Sequence, residues 1–334
     1  MTADGALAVA GFVVIASGVA AYVLLDGYDL GVAAVSLWIG KTDRERATAM
    51  DAIGPFWNGN EVWLVAAGAS LFAIFPRAYA ASFSGFYLPF TIVLWLLMAR
   101  GIALELRGHF PSDLWHQFWD AAFSISSTLL IFVFGLALGN LLRGLPLDAF
   151  GYFQGTFAFL LNPYALLIGG FAIAALANHG TLFLWMRTSG DLERASRALA
   201  GGLYWAVAAL YVAASAGTFA VRGTPPPVFA VAMTAVSVAA LAGMRVAWRR
   251  GSAALAFGAS AAFTASLLVG AAASMFPYLL PGYPLGSGGL SIFDAAPSAT
   301  SLICALSVSV VGGIAVVAYG SVVAGKMAGK AGVE

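Results

Sequence analysis

Charge is what this sequence has least of. Of 334 residues only 9% are Asp, Glu, Lys or Arg, while 61% are hydrophobic, and the formal net charge is +1. A water-soluble domain carries about 25% charged residues, so this composition excludes one. It also excludes the basic surplus that nucleic-acid binding requires. There is one cysteine, Cys304, which rules out an internal disulfide and a thiolate metal cluster. Histidine is nearly as scarce: His109, His116 and His179 are all there are. The glycine-rich stretch Gly286–Gly289 has no Lys-Ser/Thr after it and no strand before it, so it is not a phosphate loop. The first 25 residues are apolar but begin with Asp4 and lack a basic stretch. They read as the opening of a membrane span rather than a cleaved signal.

What is present is long apolar runs. Nine segments reach the roughly 20 residues needed to cross a bilayer as a helix, at 5–40, 51–75, 82–106, 114–142, 161–187, 191–221, 226–249, 252–277 and 299–325. They are continuous rather than alternating with period two, so the expectation is an all-α integral membrane protein and not a barrel. Thirteen of the sixteen basic residues fall on one side of the chain's weave: Lys41, Arg44, Arg46, Arg100, Arg107, Arg187, Arg194, Arg197, Arg245, Arg249, Arg250, Lys326 and Lys330. Only Arg77, Arg143 and Arg222 fall on the other. The positive-inside rule then puts the N-terminus outside and the C-terminus in the cytoplasm. The two long connections, 143–160 and 278–298, face outside, and the second is expected to be an irregular cap.

Ionisable groups at membrane depth are costly and point to function. Asp26 and Asp29 are three apart, on one helical face. So are Asn58 and Glu61, with Asn60 directed elsewhere. Asp29 lies ~16 Å from the basic end of its segment, and Glu61 ~15 Å into the next. Their faces are therefore expected to meet at one depth as a patch open to the cytoplasm. A carboxyl removed from water holds its proton to higher pH, and two sharing a site do so more strongly, so the patch suits proton or cation handling. The alternative is that these groups only fix helix packing. Arg100, Glu105 and Arg107 cluster at the basic end of the third segment; anchoring of the helix end accounts for them, and a proton entrance is the other reading. His179, beside Asn178, has no second buried histidine to complete a bis-histidine haem. No haem and no metal are expected on this chain.

These residues resemble a known family, subunit II of the cytochrome bd-type quinol oxidases, including the cyanide-insensitive branch. The resemblance rests on Leu25–Gly31 (LDGYDLG), Ile53–Leu64 (IGPFWNGNEVWL), Leu71–Pro76 (LFAIFP) and Phe83–Tyr87 (FSGFY). It continues through Gly139–Pro146 (GNLLRGLP), Leu161–Pro163 (LNP), His179–Thr188 (HGTLFLWMRT), Met275–Pro277 (MFP) and Phe293–Ser298 (FDAAPS). It implies two four-helix bundles, about 5–142 and 161–277, with a peripheral helix at about 299–325. It also implies a bacterial cytoplasmic membrane and a partner subunit I holding haems b and d (or b alone). The complex would oxidise quinol, reduce dioxygen to water and draw protons from the cytoplasm. A bound structural quinone, surrounding lipid and a small accessory subunit are compatible with it. Asp26 and Asp29 match the acidic pair of the family's first motif. Asn58 stands where better-known members carry an aspartate, which makes Glu61 or Asp29 the proton-carrying candidate, with Asp26, Asn58 and Glu105 beside them. From a different class, a proton- or cation-coupled secondary transporter fits the intramembrane carboxylates generically.

Overall fold

The computed structural model describes residues 3–223, 225–327 and 329–331. The first two and last three residues of the chain lie outside these. The helices are α1 (Ala3–Ile39), α2 (Asp43–Ile53), α3 (Trp57–Ile74), α4 (Pro76–Gly85), α5 (Tyr87–Leu106), α6 (Asp113–Arg143), α7 (Phe157–Leu160), α8 (Pro163–Arg187), α9 (Gly190–Arg222), α10 (Val228–Arg249), α11 (Ala253–Met275), α12 (Ile292–Ala295) and α13 (Ala299–Lys326). The all-α membrane class follows directly. Eight of these helices are individually long and apolar enough to span a bilayer. The ninth expected span is α3 taken with α4, and these two are bent 120° to each other.

Two boundaries differ from the sequence expectation, for identifiable reasons. The segment expected at 51–75 starts at Trp57, because Asp51 belongs to α2, a separate polar helix. Thr42 caps α2: its side chain accepts from the Glu45 backbone N–H while Glu45 reaches back to the Thr42 N–H. This reciprocal box sets the start of a new helix. The segment expected at 82–106 starts at Tyr87 because Pro76 opens α4 right after α3. Proline has no N–H to donate and clashes with the preceding turn, so α3 cannot continue through it.

Helix α1 has 37 residues, or ~55 Å, well beyond a 30 Å hydrocarbon core. It is the central strut: α3, α6, α8, α11 and α13 all touch it. Its approach to α8 depends on glycine. A Cβ on Gly31 would overlap the Leu176 carbonyl, and one on Gly180 would overlap the backbone at Val32. Small residues of this kind let helix backbones come together in lipid, where apolar surfaces gain little from each other. Beyond α1, the chain pairs α5 with α6, α8 with α9 and α10 with α11, and α13 lies on α3.

The cap is more regular than expected. Residues 278–298 hold an antiparallel pair, β1 (Tyr278–Pro281) and β2 (Gly289–Ser291), followed by α12. Leu145 from the other long connection joins this hairpin: its N–H donates to Pro281 O and its carbonyl accepts from Tyr283 N–H, both at 2.8 Å. Ser298 caps α13. Asp294 bonds Ser291, and its carbonyl accepts from Arg77.

Candidate functional site

Arg100 sits thirteen residues into α5 and is completely buried. Its Nη2 donates to Asp26 Oδ1 at 2.6 Å and its Nη1 to Asp26 Oδ2 at 3.1 Å. The same Nη1 donates to Glu61 Oε1 at 2.8 Å. One guanidinium thus holds two carboxylates from two other helices, in the forked geometry that suits arginine. Asp26 is as buried as Arg100, whereas the Glu61 side chain remains 28% exposed. This corrects the reading of Arg100 as a helix-end anchor. Helix α5 runs six residues past it to Leu106, so it lies inside the bundle.

Asp29, one turn along α1, is fully buried and makes no ion pair among the described residues. Its Oδ2 accepts from Asn60 Nδ2 at 2.7 Å, and its Oδ1 has no hydrogen-bond partner there. The same Asn60 amide faces Tyr28 Oη at 2.8 Å and Leu25 O at 3.2 Å. The expected patch between α1 and α3 therefore exists, with different members. Asn58 is exposed and bonds none of these carboxyls. Asn60 reaches Asp29 in its place, and Glu61 reaches Arg100. Because α3 starts at Trp57, Glu61 is about one turn from the helix start rather than ~15 Å in. Asn58 and Glu61 still share a face, but Asn60, 200° around the helix from Asn58, is the residue turned toward α1.

Beside this cluster lies a cavity of about 720 Å³ between α1, α3, α8, α11 and the end of α13. Asn60 and Tyr28 form part of its wall, so Asp29 is one residue removed from the open space. Trp63, Phe183, Phe257 and Tyr319 supply aromatic faces. Arg187 and Lys330 supply cations, and the tail after α13 is tied down by Ala331 N–H to Arg187 O at 2.7 Å.

At the basic end of the same bundle, Arg107 Nε donates to Asp120 Oδ1 at 2.5 Å and its Nη2 to Asp43 Oδ1 at 2.6 Å. Arg46 Nε reaches Asp120 Oδ2 at 2.7 Å, and His116 Nδ1 lies 3.2 Å from Asp43. This network fastens α2 to the start of α6. Glu105 is not part of it: the side chain is exposed and makes no ion pair among the described residues.

Comparison with known proteins decides what such a site belongs to. The family model "Cytochrome bd terminal oxidase subunit II" matches residues 7–325. This chain belongs to that family. Among curated relatives, the cytochrome bd-I ubiquinol oxidase subunit 2 of Escherichia coli K12 is 30% identical over 318 residues, covering 84% of this chain and 83% of that protein. A probable cytochrome oxidase subunit 2 of Haemophilus influenzae is 32% identical, covering 88% and 87%. The Bacillus subtilis cytochrome bd ubiquinol oxidase subunit 2 is 37% identical over a shorter stretch, 57% of this chain and 56% of its own. A chain in the structure of bd oxidase from Geobacillus thermodenitrificans superposes with a TM-score of 0.75 over 94% of this chain and 96% of its own; at 17% identity it establishes the fold.

Membership in the terminal-oxidase family replaces the secondary-transporter reading. It also implies haem in the complex, so the fit of haem to this chain can be tested. His179 is fully buried in α8. Its Nδ1 lies 3.0 Å from Ser260 Oγ, its Nε2 3.3 Å from Leu24 O, and its ring stacks on Phe257 at 4.7 Å. Both nitrogens are engaged and one ring face is covered, so the site does not fit a haem iron. No group of three or more metal-ligating side chains occurs among the described residues. Two of the residues that the sequence reading misplaced, Arg100 and Asn60, did leave a signal. Arg100 precedes Arg107 by seven residues, two helical turns, too far to share one anchoring position. Asn60 stands on the opposite side of α3 from Asn58, so only one of them could have faced α1.

Proposed function

We propose that this chain is the haem-free subunit II of a cytochrome bd-type quinol oxidase and that its buried carboxyls carry protons taken up from the cytoplasm. Subunit I would bind haems b and d, or b alone, oxidise quinol and reduce dioxygen to water. This subunit would support it in a bacterial cytoplasmic membrane, with the N-terminus outside and the basic side of the weave, now without Arg100, in the cytoplasm. One observation carries the proton reading: Asp26 and Glu61 close on a single guanidinium, and a third carboxyl, Asp29, lies one helical turn from Asp26 with only an amide as its partner. Asp26 is held by both arms of Arg100 and serves as its fixed counter-ion. Asp29 has no cation of its own, and Glu61 is the partly exposed member. Those two can take and release a proton without stripping Arg100 of its partner. Asn60 would orient Asp29 toward the cavity, as an amide orients without titrating. Asn58 and Glu105, both exposed, have at most a role at the surface of the path.

The cavity fits the quinone that the family resemblance implies. Its aromatic walls would hold the ring, and Arg187 and Lys330 would donate to ring carbonyls. A quinone held there has a structural part in this reading, and no electron step passes through it.

The test is oxygen consumption and proton uptake by the purified complex. Glu61→Gln and Asp29→Asn are expected to slow quinol-driven turnover about 100-fold or more, the scale of a lost proton-transfer group, with haem content and subunit ratio unchanged. Full turnover with full uptake kinetics in the double variant would overturn the proton role. Normal specific activity with reduced stability would assign the cluster to packing alone.

A further inference from the structure

At the same end of the molecule as the Arg107 network, but on the second bundle, the cations are arranged differently. Arg46 and Arg107 are each neutralised by Asp43 or Asp120. On α9 and α10 the carboxylates are already taken: Asp191 pairs with Arg194, and Glu193 with Lys330. Arg197, Arg245, Arg249 and Arg250 make no ion pair among the described residues.

Two of these four are held by aromatic rings. The Arg245 guanidinium lies 4.5 Å from the Trp248 ring centre, 5.5 Å from Tyr204 and 5.4 Å from Trp205. Arg197 lies 5.2 Å from Trp185 and 5.7 Å from Trp248. The rings are fixed in turn. Trp248 Nε1 donates to Arg197 O at 2.9 Å, and its ring rests on α9 at Gly201, where a side chain would collide with it. A guanidinium stacked on rings is held by its flat face, which leaves in-plane N–H groups for a forked acceptor; Arg197 directs one of its own to Trp248 O at 3.4 Å. Arg245 donates no hydrogen bond to any described residue, and its Nε is buried without a partner. Arg249 follows Arg245 by four residues, on the same face of α10. Trp205 is 60% exposed, an amphipathic ring of the kind that settles at headgroup level.

We infer that the Arg197–Arg245–Arg249–Trp205 corner binds the phosphate of an anionic phospholipid in the leaflet on that side. The chemistry is a forked anion acceptor beside acyl chain, which a headgroup phosphate supplies. Lys41 and Arg44 at the other bundle lack any aromatic ring over them among the described residues, so a general excess of basic residues does not build the same arrangement. The proposal stands independently of the proton path, because none of these residues touches Asp26, Asp29 or Glu61.

The test uses the intact purified complex in nanodiscs of phosphatidylcholine with or without phosphatidylglycerol. Phosphatidylglycerol is expected to raise the Tm of wild type. The shift should be lost in R245Q/R249Q, with phosphatidylglycerol retention in native mass spectra about five-fold weaker per guanidinium removed. Arg245→Lys keeps the charge without the planar stack and should retain part of the shift. Turnover in pure phosphatidylcholine serves as the folding control and should match wild type. An equal shift in R245Q/R249Q would overturn the inference, and so would inorganic phosphate alone reproducing it. A photo-crosslinker at Trp205 that captured protein rather than lipid would likewise overturn it, by showing the corner covered by another subunit.

Discussion

Arg100 shows how much a single residue's depth matters. Burying a guanidinium is costly unless its charge is matched, and here Asp26 and Glu61 match the charge and accept from both Nη groups, while Nε has no partner among the described residues. Removing one member of a buried pair leaves the other uncompensated, at a cost of about 3–5 kcal/mol. Arg100→Gln is therefore expected to lower the Tm of the complex sharply in thermal unfolding. Pairing it with Asp26→Asn should recover part of the loss, because the orphaned charge goes too. If the double variant were no more stable than the single, the ion pair would not be what Arg100 contributes. Asn60 offers a milder change. Asn60→Leu deprives the Asp29 carboxyl of its one hydrogen bond among the described residues. It is expected to slow proton uptake while Asn58→Leu, at an exposed position, leaves uptake near wild type; stopped-flow pH-indicator traces of the two variants make the comparison.

At the scale of elements, two local rules position the site. Pro76 ends α3 and turns the chain by 120°, which frees α3 to lie along α1 with Asn60 and Glu61 on different sides of it. The α1–α8 contact then fixes the depth of Asp29. Gly31 and Gly180 face each other's helix backbones, and an added methyl on either has nowhere to go. Gly31→Ala or Gly180→Ala is expected to cost about 3 kcal/mol or more by overpacking, seen as reduced Tm and reduced yield of assembled complex. Gly170→Ala, in the same α8 but with open space around it, should stay within about 1 kcal/mol of wild type. Equal losses in all three would show that helix propensity, not close approach, sets these glycines. Helix identity was readable from apolar run length. The breaks at Thr42 and Pro76 were readable too, but apolar length overrode their capping and proline signals in placing the second and third segments.

For the whole molecule, the packing around His179 supports the haem-free reading proposed above. His179 engages Ser260, Leu24 and Phe257 rather than open space. His179→Gln is expected to leave the haem content of the purified complex unchanged in a pyridine haemochrome assay, while lowering its Tm. A loss of one haem per complex would reverse that assignment.

Composition and run length by themselves determined the membrane class, the all-α architecture and about nine crossings, because lipid permits few ways to satisfy a backbone. The motifs, from LDGYDLG to FDAAPS, determined the family. Spacing determined that α1 and α3 would share polar groups, since helical periodicity places residues three apart on one face. Which groups actually meet was settled only in three dimensions. Helix rotation about its own axis depends on side-chain packing against several neighbours at once, and one residue's rotation is 100°. A rotation of two residues, 200°, exchanges Asn58 for Asn60 at Asp29. Packing also turns Arg100, expected at a surface, into the cation around which two of the three carboxyls close, with Asp29 set just beyond it.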